Sequence, residues 1–280
     1  MIVFRKAEAL TNYLQLKKGS GSRIGFVPTM GALHGGHLSL IDSSKRADNL
    51  TVCSIFINPT QFNNADDFKH YPVTIEKDIE QLLQSGCDVL FLPSVEEIYP
   101  SGYVPKKYDL GVLETILEGR YRPGHFQGVC QVVDRLLAVV QPSVLYLGQK
   151  DYQQCMVIQS LVNSEYKQSE IEISIAPTLR EADGLAMSSR NLRLNEAQRG
   201  KAPAIYKALN FAKEKLATHP IKEIKEEAAK QLTEEGFAVD YFEIADASSL
   251  LPSQNKNGKL IALVAAHLDK VRLIDNLPLN

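Results

Sequence analysis

The sequence predicts an α/β protein: a Rossmann-like parallel sheet with flanking helices, followed by a smaller C-terminal α+β domain. Three observations point there. Short, continuously apolar runs alternate with helical patterns through the first two-thirds of the chain, and such alternation builds a parallel sheet with crossover helices. The runs show no polar–apolar alternation, as expected of strands covered on both faces. Beyond residue 176 the texture changes to amphipathic Lys-, Glu- and Ala-rich helices and further strand-like runs. The predicted domains are therefore 1–176 and 177–280.

Taken in order, the strands are "RIGFVP" from Arg23, "LTVCSIFI" from Leu50, "DVLFLP" from Asp88, "SVLYLG" from Ser143 and "IEISIAP" from Ile171. Each is rich in β-branched or apolar residues, and Pro, Gly or Asn stops each one. Between them the apolar periodicity predicts helices over 36–47, 75–85, 126–140 and 152–163. A polar loop, "PTLREADGLAMSSRNLRLN", opens the second domain. Helices over 196–218 and 221–235 follow, and the strands "AVDYFEIAD", "KLIALVAAHL" and "KVRLIDN" close the chain. No internal repeat or low-complexity segment interrupts this order.

Composition narrows the function classes. The net charge of -2 over 280 residues leaves no electrostatic footprint for nucleic acid or an anionic membrane. Any anion site must be local, built from a few cations and backbone amides. Cys53, Cys87, Cys130 and Cys155 lie far apart in apolar surroundings without a CxxC, which reads as buried reduced thiols of a cytoplasmic protein. The N-terminal "MIVFRKAEAL" is too short and too charged for a signal peptide. No apolar run reaches the roughly 18 residues of a membrane span. A soluble, cytoplasmic protein is expected.

Five segments carry candidate chemistry. In "GFVPTMGALHGGHLSL" a strand turns into a helix through glycines, and His34 and His37 form an H-x-G-H with Gly36. A helix start offers N–H groups and a positive dipole end to an anion, and the glycines allow close approach. Two imidazoles there can donate to phosphate oxygens; helix-entry histidines with a structural role are the alternative. In "GQKDYQQC", after a strand, Lys150 can reach phosphates and Asp151 can accept from ribose hydroxyls or hold a metal, although a Lys-Asp pair at a helix start also serves as an exposed cap. The loop "READGLAMSSRNLRL" brings Ser188, Ser189, Arg190 and Asn191, hydroxyls and a guanidinium suited to a polyphosphate. "IFINPTQF" places the neutral amides of Asn58 and Gln61 just past a strand end, suited to hydroxyls and a carboxylate. "LEGRYRPGHFQGV" offers Arg122 and His125 around a Pro-Gly turn. The acidic "ADDF" and "EKDIEQ" read as a solvated face rather than a metal ligand set, and the metal ligands stay undetermined.

"PTMGALHGGHLSL", "FINPTQF", "GRYRPGHFQGV", "GQKDYQQ" and "READGLAMSSRN" together resemble the pantothenate synthetase (pantoate–β-alanine ligase) family, in order and at compatible spacing. The motifs run to about residue 195 and the organisation to the C-terminus. The set is more specific than H-x-G-H alone, which nucleotidyltransferases and class I aminoacyl-tRNA synthetases share. One departure is Gly35 at the variable position, where the family commonly has Glu. The resemblance implies condensation of (R)-pantoate with β-alanine at the expense of ATP with Mg2+, through a pantoyl adenylate, releasing AMP and diphosphate. It implies a nucleotide site of Met30, Gly31, His34, Gly36, His37, Gly148, Gln149, Lys150, Asp151, Leu179, Met187, Ser188, Ser189 and Arg190. His37, His34 and Lys150 would be catalytic, and the Met187–Arg190 stretch would close over the nucleotide as part of a lid. Gln61 and Gln154 would bind pantoate, with Asn58, Arg122 and His125 in the same substrate site. A homodimer without nucleic-acid or membrane partners is implied. Two other readings stand beside it: a nucleotidyltransferase with no amine step, and a tRNA-binding relative of the synthetases, against which the absent basic tract weighs.

Overall fold

Runs too apolar to face water on either side become neighbouring strands of one sheet. The computed structural model describes residues 1–280, and these form two units: Met1–Gly148 with Gln153–Pro177, and Gln149–Tyr152 with Thr178–Asn280. In chain order the first unit holds β1 (Ile2–Phe4), α1 (Ala7–Gly19), β2 (Ile24–Thr29), α2 (Gly35–Arg46), β3 (Leu50–Ile55), α3 (Ala65–Lys69), α4 (Ile75–Gln84), β4 (Val89–Phe91), α5 (Val95–Ile98), α6 (Leu117–Tyr121), α7 (His125–Val140), β5 (Val144–Gly148), α8 (Tyr152–Glu165) and β6 (Glu172–Ala176). The six strands lie in the order β1-β4-β3-β2-β5-β6, and every pairing is parallel. The chain moves outward from β2 through β3 to β4, then returns to the other side of β2 for β5 and β6. The order reverses between β2 and β5. In open α/β sheets the ligand crevice lies at such a switch point, beyond the carboxyl ends of the strands.

Successive strand residues point to opposite faces, and both faces are covered. Phe26, Val52, Phe91 and Leu145 share a core with α1, α7 and α8. Val27, Cys53, Leu90 and Tyr146 share a second core with Leu40 and Ile41 of α2 and Leu82 of α4. Phe26 and Phe91 are wholly buried, and each such side chain contributes about 1.5–3 kcal/mol. All four cysteines are buried and none is in a disulfide.

The first unit differs from the sequence reading in its additional elements and in its edge strand β6. β1, α1 and the short helices α3, α5 and α6 lie outside the predicted elements: β1 has three residues, too few for a periodic signal, and gains its place by pairing with β4. β6 is an edge strand whose side chains are exposed or half-buried, so the continuous burial expected of every strand stops at β5. Edge position, which the run "IEISIA" does not encode, decides this.

The second unit begins with the 3-10 turn Gln149–Asp151 directly after β5. Past β6 come a hairpin closed by a bridge between Arg180 and Ala186, the 3-10 turn Ser189–Arg193, α9 (Glu196–Lys201), α10 (Ala204–Lys215), α11 (Ile221–Glu234), β7 (Ala238–Asp246), β8 (Leu260–Leu268) and β9 (Val271–Pro278). The strands form an antiparallel sheet in the order β7-β8-β9. Ile205 and Leu209 of α10 and Ile224 and Leu232 of α11 share a core with Ile244, Val264 and Leu273. The helix predicted over 196–218 is two helices, because Pro203 lacks an N–H and ends α9 before α10 begins.

Candidate active site

The turn after β2 is built mainly by the backbone. Gly31 and Ala32 both take left-handed conformations, with φ of 79° and 49°; for Ala32 this costs about 1–2 kcal/mol. The turn is held because its amides are satisfied inside the protein. Gly31 N donates to Thr29 Oγ1 at 3.2 Å, Ala32 N to Asp78 Oδ2 at 2.9 Å and Leu33 N to Asp78 Oδ1 at 2.8 Å. Asp78, on α4, is wholly buried. This corrects the reading of "EKDIEQ" as a solvated acidic face at Asp78 alone; Glu76 and Glu80 are exposed, as expected. A signal for it exists: Asp78 falls three residues after Ile75 and four before Leu82, on the apolar stripe of α4.

The turn delivers His34 as the N-cap of α2, its Nδ1 accepting from Gly36 N at 3.2 Å. That bond leaves the proton of neutral His34 on Nε2. The His37 ring lies 4.0 Å from the His34 ring, centroid to centroid. Because the amides of residues 31–33 face inward, an anion at this turn is met by the two rings and the start of α2.

The turn after β3 is a second construction. Asn58 is buried, and its amide is spent within the chain. Its Oδ1 accepts from Tyr99 Oη at 2.9 Å, Thr60 Oγ1 at 3.0 Å and Thr60 N at 3.3 Å. Its Nδ2 donates to Gln61 Oε1 and Gly128 O, each at 3.1 Å. Burial pushes the Tyr99 phenol up to about 12, so it serves as a neutral donor. Gln61 then points Nε2 at Met30 Sδ, 3.0 Å away, which joins the β2 and β3 turns. His125, also buried, donates from Nδ1 to Gln61 O at 2.8 Å, and its Nε2 accepts from Arg122 Nη1 at 3.0 Å. A carbonyl can only accept, so this is the neutral Nδ1–H tautomer. Arg122 also approaches Glu118 at 3.8 Å. The structure thus brings Met30, Asn58, Gln61, Arg122 and His125 into one network. Of the adjacent glutamines on α8, Gln153 is consumed by Glu118 N, Leu113 O and Ile116 O, while Gln154 is half-buried.

In the second unit, Asn276 on β9 donates to Gln149 O and Lys150 O, both at 2.9 Å, and Gln149 Nε2 donates to Asn276 Oδ1 at 3.2 Å. The turn carrying Lys150 is thereby fixed to β9, with the ammonium 3.8 Å from Asp151 Oδ1. The loop read as a long polar lid is a hairpin. Met187 N donates to Leu179 O and Glu181 N to Leu185 O. Arg180 anchors it, pairing with both carboxylate oxygens of Asp275 at 2.5 and 3.0 Å and stacking 3.9 Å from the centroid of the Tyr206 ring. Burial raises the Asp275 carboxyl above its ordinary value, against the pull of Arg180 and Lys150. Ser188 accepts from Arg190 N and caps the next turn, whose Ser189 is buried; Leu179, Met187 and Arg190 are exposed or half-buried. Arg180, Asp275 and Asn276 were absent from the predicted set, although Asp275 alternates with the buried Val271 and Leu273 on one face of β9. No group of three or more His, Cys, Asp or Glu side chains is arranged to hold a metal ion.

A parallel sheet carrying an H-x-G-H turn at its switch point defines a Rossmann-like fold with a candidate anion site at that turn. The family described as pantoate-beta-alanine ligase matches residues 2–278, and the chain belongs to that family. The pantothenate synthetase of Herpetosiphon aurantiacus is 47% identical over 264 residues, covering 91% of this chain and 93% of the relative. That of Flavobacterium psychrophilum is 42% identical over 284 residues, covering 100% of both. The crystal structure of pantothenate synthetase from Thermus thermophilus matches with a TM-score of 0.91 at 38% identity, over 100% of this chain and 99% of that one. Pantoate-beta-alanine ligase from Francisella tularensis, complexed with beta-gamma ATP and beta-alanine, matches at 0.84 and 36% identity, over 99% and 97%. The chain is therefore an enzyme, a ligase of this family.

Proposed function

We propose that the enzyme joins (R)-pantoate to β-alanine with ATP, through a pantoyl adenylate, releasing AMP and diphosphate. Within the family, the observation that carries this order of chemistry is the paired His34 and His37 at the start of α2. In the first step a pantoate carboxylate oxygen attacks the α-phosphorus, and the bond to the β-phosphate oxygen breaks. Negative charge grows on the phosphate oxygens, where His34 Nε2–H, His37 and the Lys150 ammonium donate. In the second step the β-alanine amine attacks the carbonyl carbon, the bond to the AMP oxygen breaks, and the amine loses a proton.

Gln61 and Gln154 hold pantoate in this reading. The Gln61 Nε2 bond to Met30 Sδ is to a weak acceptor, so a substrate hydroxyl or carboxylate displaces the sulfur at little cost. Asn58, Arg122 and His125 act through Gln61 by fixing its backbone and amide. Met30, Gly31, Gly36, Gly148, Gln149, Asp151, Leu179 and Met187–Arg190 complete the nucleotide site, with residues 177–280 as the lid that shields the mixed anhydride from water. The partly exposed carboxylate of Asp151, 3.8 Å from the Lys150 ammonium, is the group that would meet a magnesium ion brought by the triphosphate. Magnesium there screens phosphate charge. The reading includes a cytoplasmic homodimer, which light scattering of the purified protein tests for mass. No helix is long and apolar enough to cross a membrane.

Isotope exchange tests the intermediate. With ATP, magnesium and pantoate but no β-alanine, labelled diphosphate should enter ATP; adding β-alanine should release AMP. Finding ADP among the products, or no pantoate-dependent exchange, removes the adenylate.

A further inference from the structure

We infer that Asp78 is a positioning residue for the nucleotide chemistry, setting the His34–His37 pair through the backbone of the turn. Its three hydrogen bonds come from neutral donors: Ala32 N at 2.9 Å, Leu33 N at 2.8 Å and Thr74 Oγ1 at 3.0 Å. A wholly buried carboxylate held by neutral donors is an expensive way to stabilise a helix face. An apolar residue, such as Leu82 one turn further along α4, serves packing better. The arrangement explains the charge in another way. Two acceptor oxygens bridge two consecutive amides and fix the Gly31–Ala32 and Ala32–Leu33 peptide planes, which end one residue before His34. Thr74, the residue preceding α4, holds the carboxylate in its rotamer. A Cβ on Gly31 would lie 3.0 Å from Asp78 Oδ2 and 3.1 Å from Ile55 Cγ2, so the turn is seated on the carboxylate with no room to slide. Asp78 touches no reacting atom; it acts through Ala32 and Leu33 on the two rings.

This rests on the proposed ATP chemistry for its kinetic readout, and on geometry alone for its spectroscopic one. Asp78→Asn keeps the shape but has one acceptor oxygen, so it turns an NH2 toward one of the two amides. The expected result is a rise in KM for ATP or a fall in kcat of at least about 10-fold, with KM for pantoate within about 3-fold. In the same variant the His34 and His37 ring protons should lose the mutual ring-current shifts of two imidazoles 4.0 Å apart in NMR spectra. A variant with a lower melting temperature but unaltered ATP kinetics and unaltered ring shifts at 25 °C would overturn the inference, leaving Asp78 a packing residue. Should Asp78→Asn not fold, amide exchange in the unaltered protein decides. Ala32 and Leu33 protected like the interior of β2 support the clamp, and exchange as fast as an exposed loop refutes it. If the unaltered protein makes no ATP-dependent amide, the functional reading fails, while the ring-shift and exchange results still judge Asp78.

Discussion

Two turns that carry the candidate chemistry are each tied to a buried aspartate, by opposite means. The turn before α2 is held through its main chain, by Asp78 accepting from Ala32 N and Leu33 N. The hairpin of 179–187 is held through a side chain, by Arg180 on Asp275. Main-chain anchoring to Asp78 takes no part of either histidine ring. Side-chain anchoring commits the guanidinium of Arg180 to structure, so that Arg190, in the 3-10 turn after the hairpin, is the arginine proposed to meet the nucleotide. The two aspartates also differ in electrostatics. Asp275 has a cation against it, and removal of that cation would leave a buried charge uncompensated. Asp78 has amide and hydroxyl dipoles, whose loss is felt first as a change of shape.

The largest effect is expected at the ion pair. Arg180→Met should cost about 3–5 kcal/mol, the range for breaking a buried pair, and adding Asp275→Leu should recover most of it. Burial already raises the Asp275 carboxyl, so this group favours folding fully at low pH and less as pH rises through its folded value. Without Arg180 that value rises further. The deficit measured by urea unfolding should therefore be larger at pH 7 than at pH 4. A deficit independent of pH would mean that Arg180 acts by packing on Tyr206 instead.

Next come the groups proposed for the chemistry itself. His37→Ala and Lys150→Ala should each lower turnover by about 10- to 1000-fold, with melting temperatures close to the parent. Steady-state rates and thermal unfolding on the same preparations check both halves. Near-normal turnover in either variant takes that residue out of the mechanism, and a collapsed melting temperature returns it to the scaffold.

The smallest effect concerns a turn held by close packing rather than by an aspartate. A Cβ on Gly128 would lie 2.2 Å from Thr60 O, so Gly128→Ala must push the Thr60–Gln61 turn off α7. The expected cost is about 1–3 kcal/mol, with a higher KM for pantoate and little change for ATP. Equal weakening of both substrates would show that the β2 and β3 turns move as one piece through the Gln61–Met30 contact.

Much of this was readable from the chain. The β2 run, the H-x-G-H and the Lys150 turn stand where apolar runs stop, and Gly, Pro and Asn mark each stop. Helix α7 was expected over 126–140 and spans His125–Val140, because its apolar periodicity is strong. The two aspartate clamps have no local signature beyond their positions, where the pattern calls for an apolar residue. An Asp in "EKDIEQ" looks like its exposed neighbours until the face of α4 that meets the β2 turn is known. Asn58 and His125 read as ligand-facing polar residues, yet their hydrogen-bonding groups are satisfied by Gln61, Tyr99, Thr60, Gly128 and Arg122.

By itself the sequence determined the element types, the parallel sheet and the identity of the histidines, lysine and amides placed at strand ends. Those depend on neighbours within a turn or two of the chain, where side-chain period and turn chemistry operate. The tertiary structure alone decided which carboxylates are buried, which tautomer His125 holds and which polar groups are spent inside the protein. The partners responsible lie far apart in sequence, 46 residues between Ala32 and Asp78, 64 between Gln61 and His125 and 95 between Arg180 and Asp275. A hydrogen bond is set by distance in space, and no local pattern encodes a partner that far along the chain.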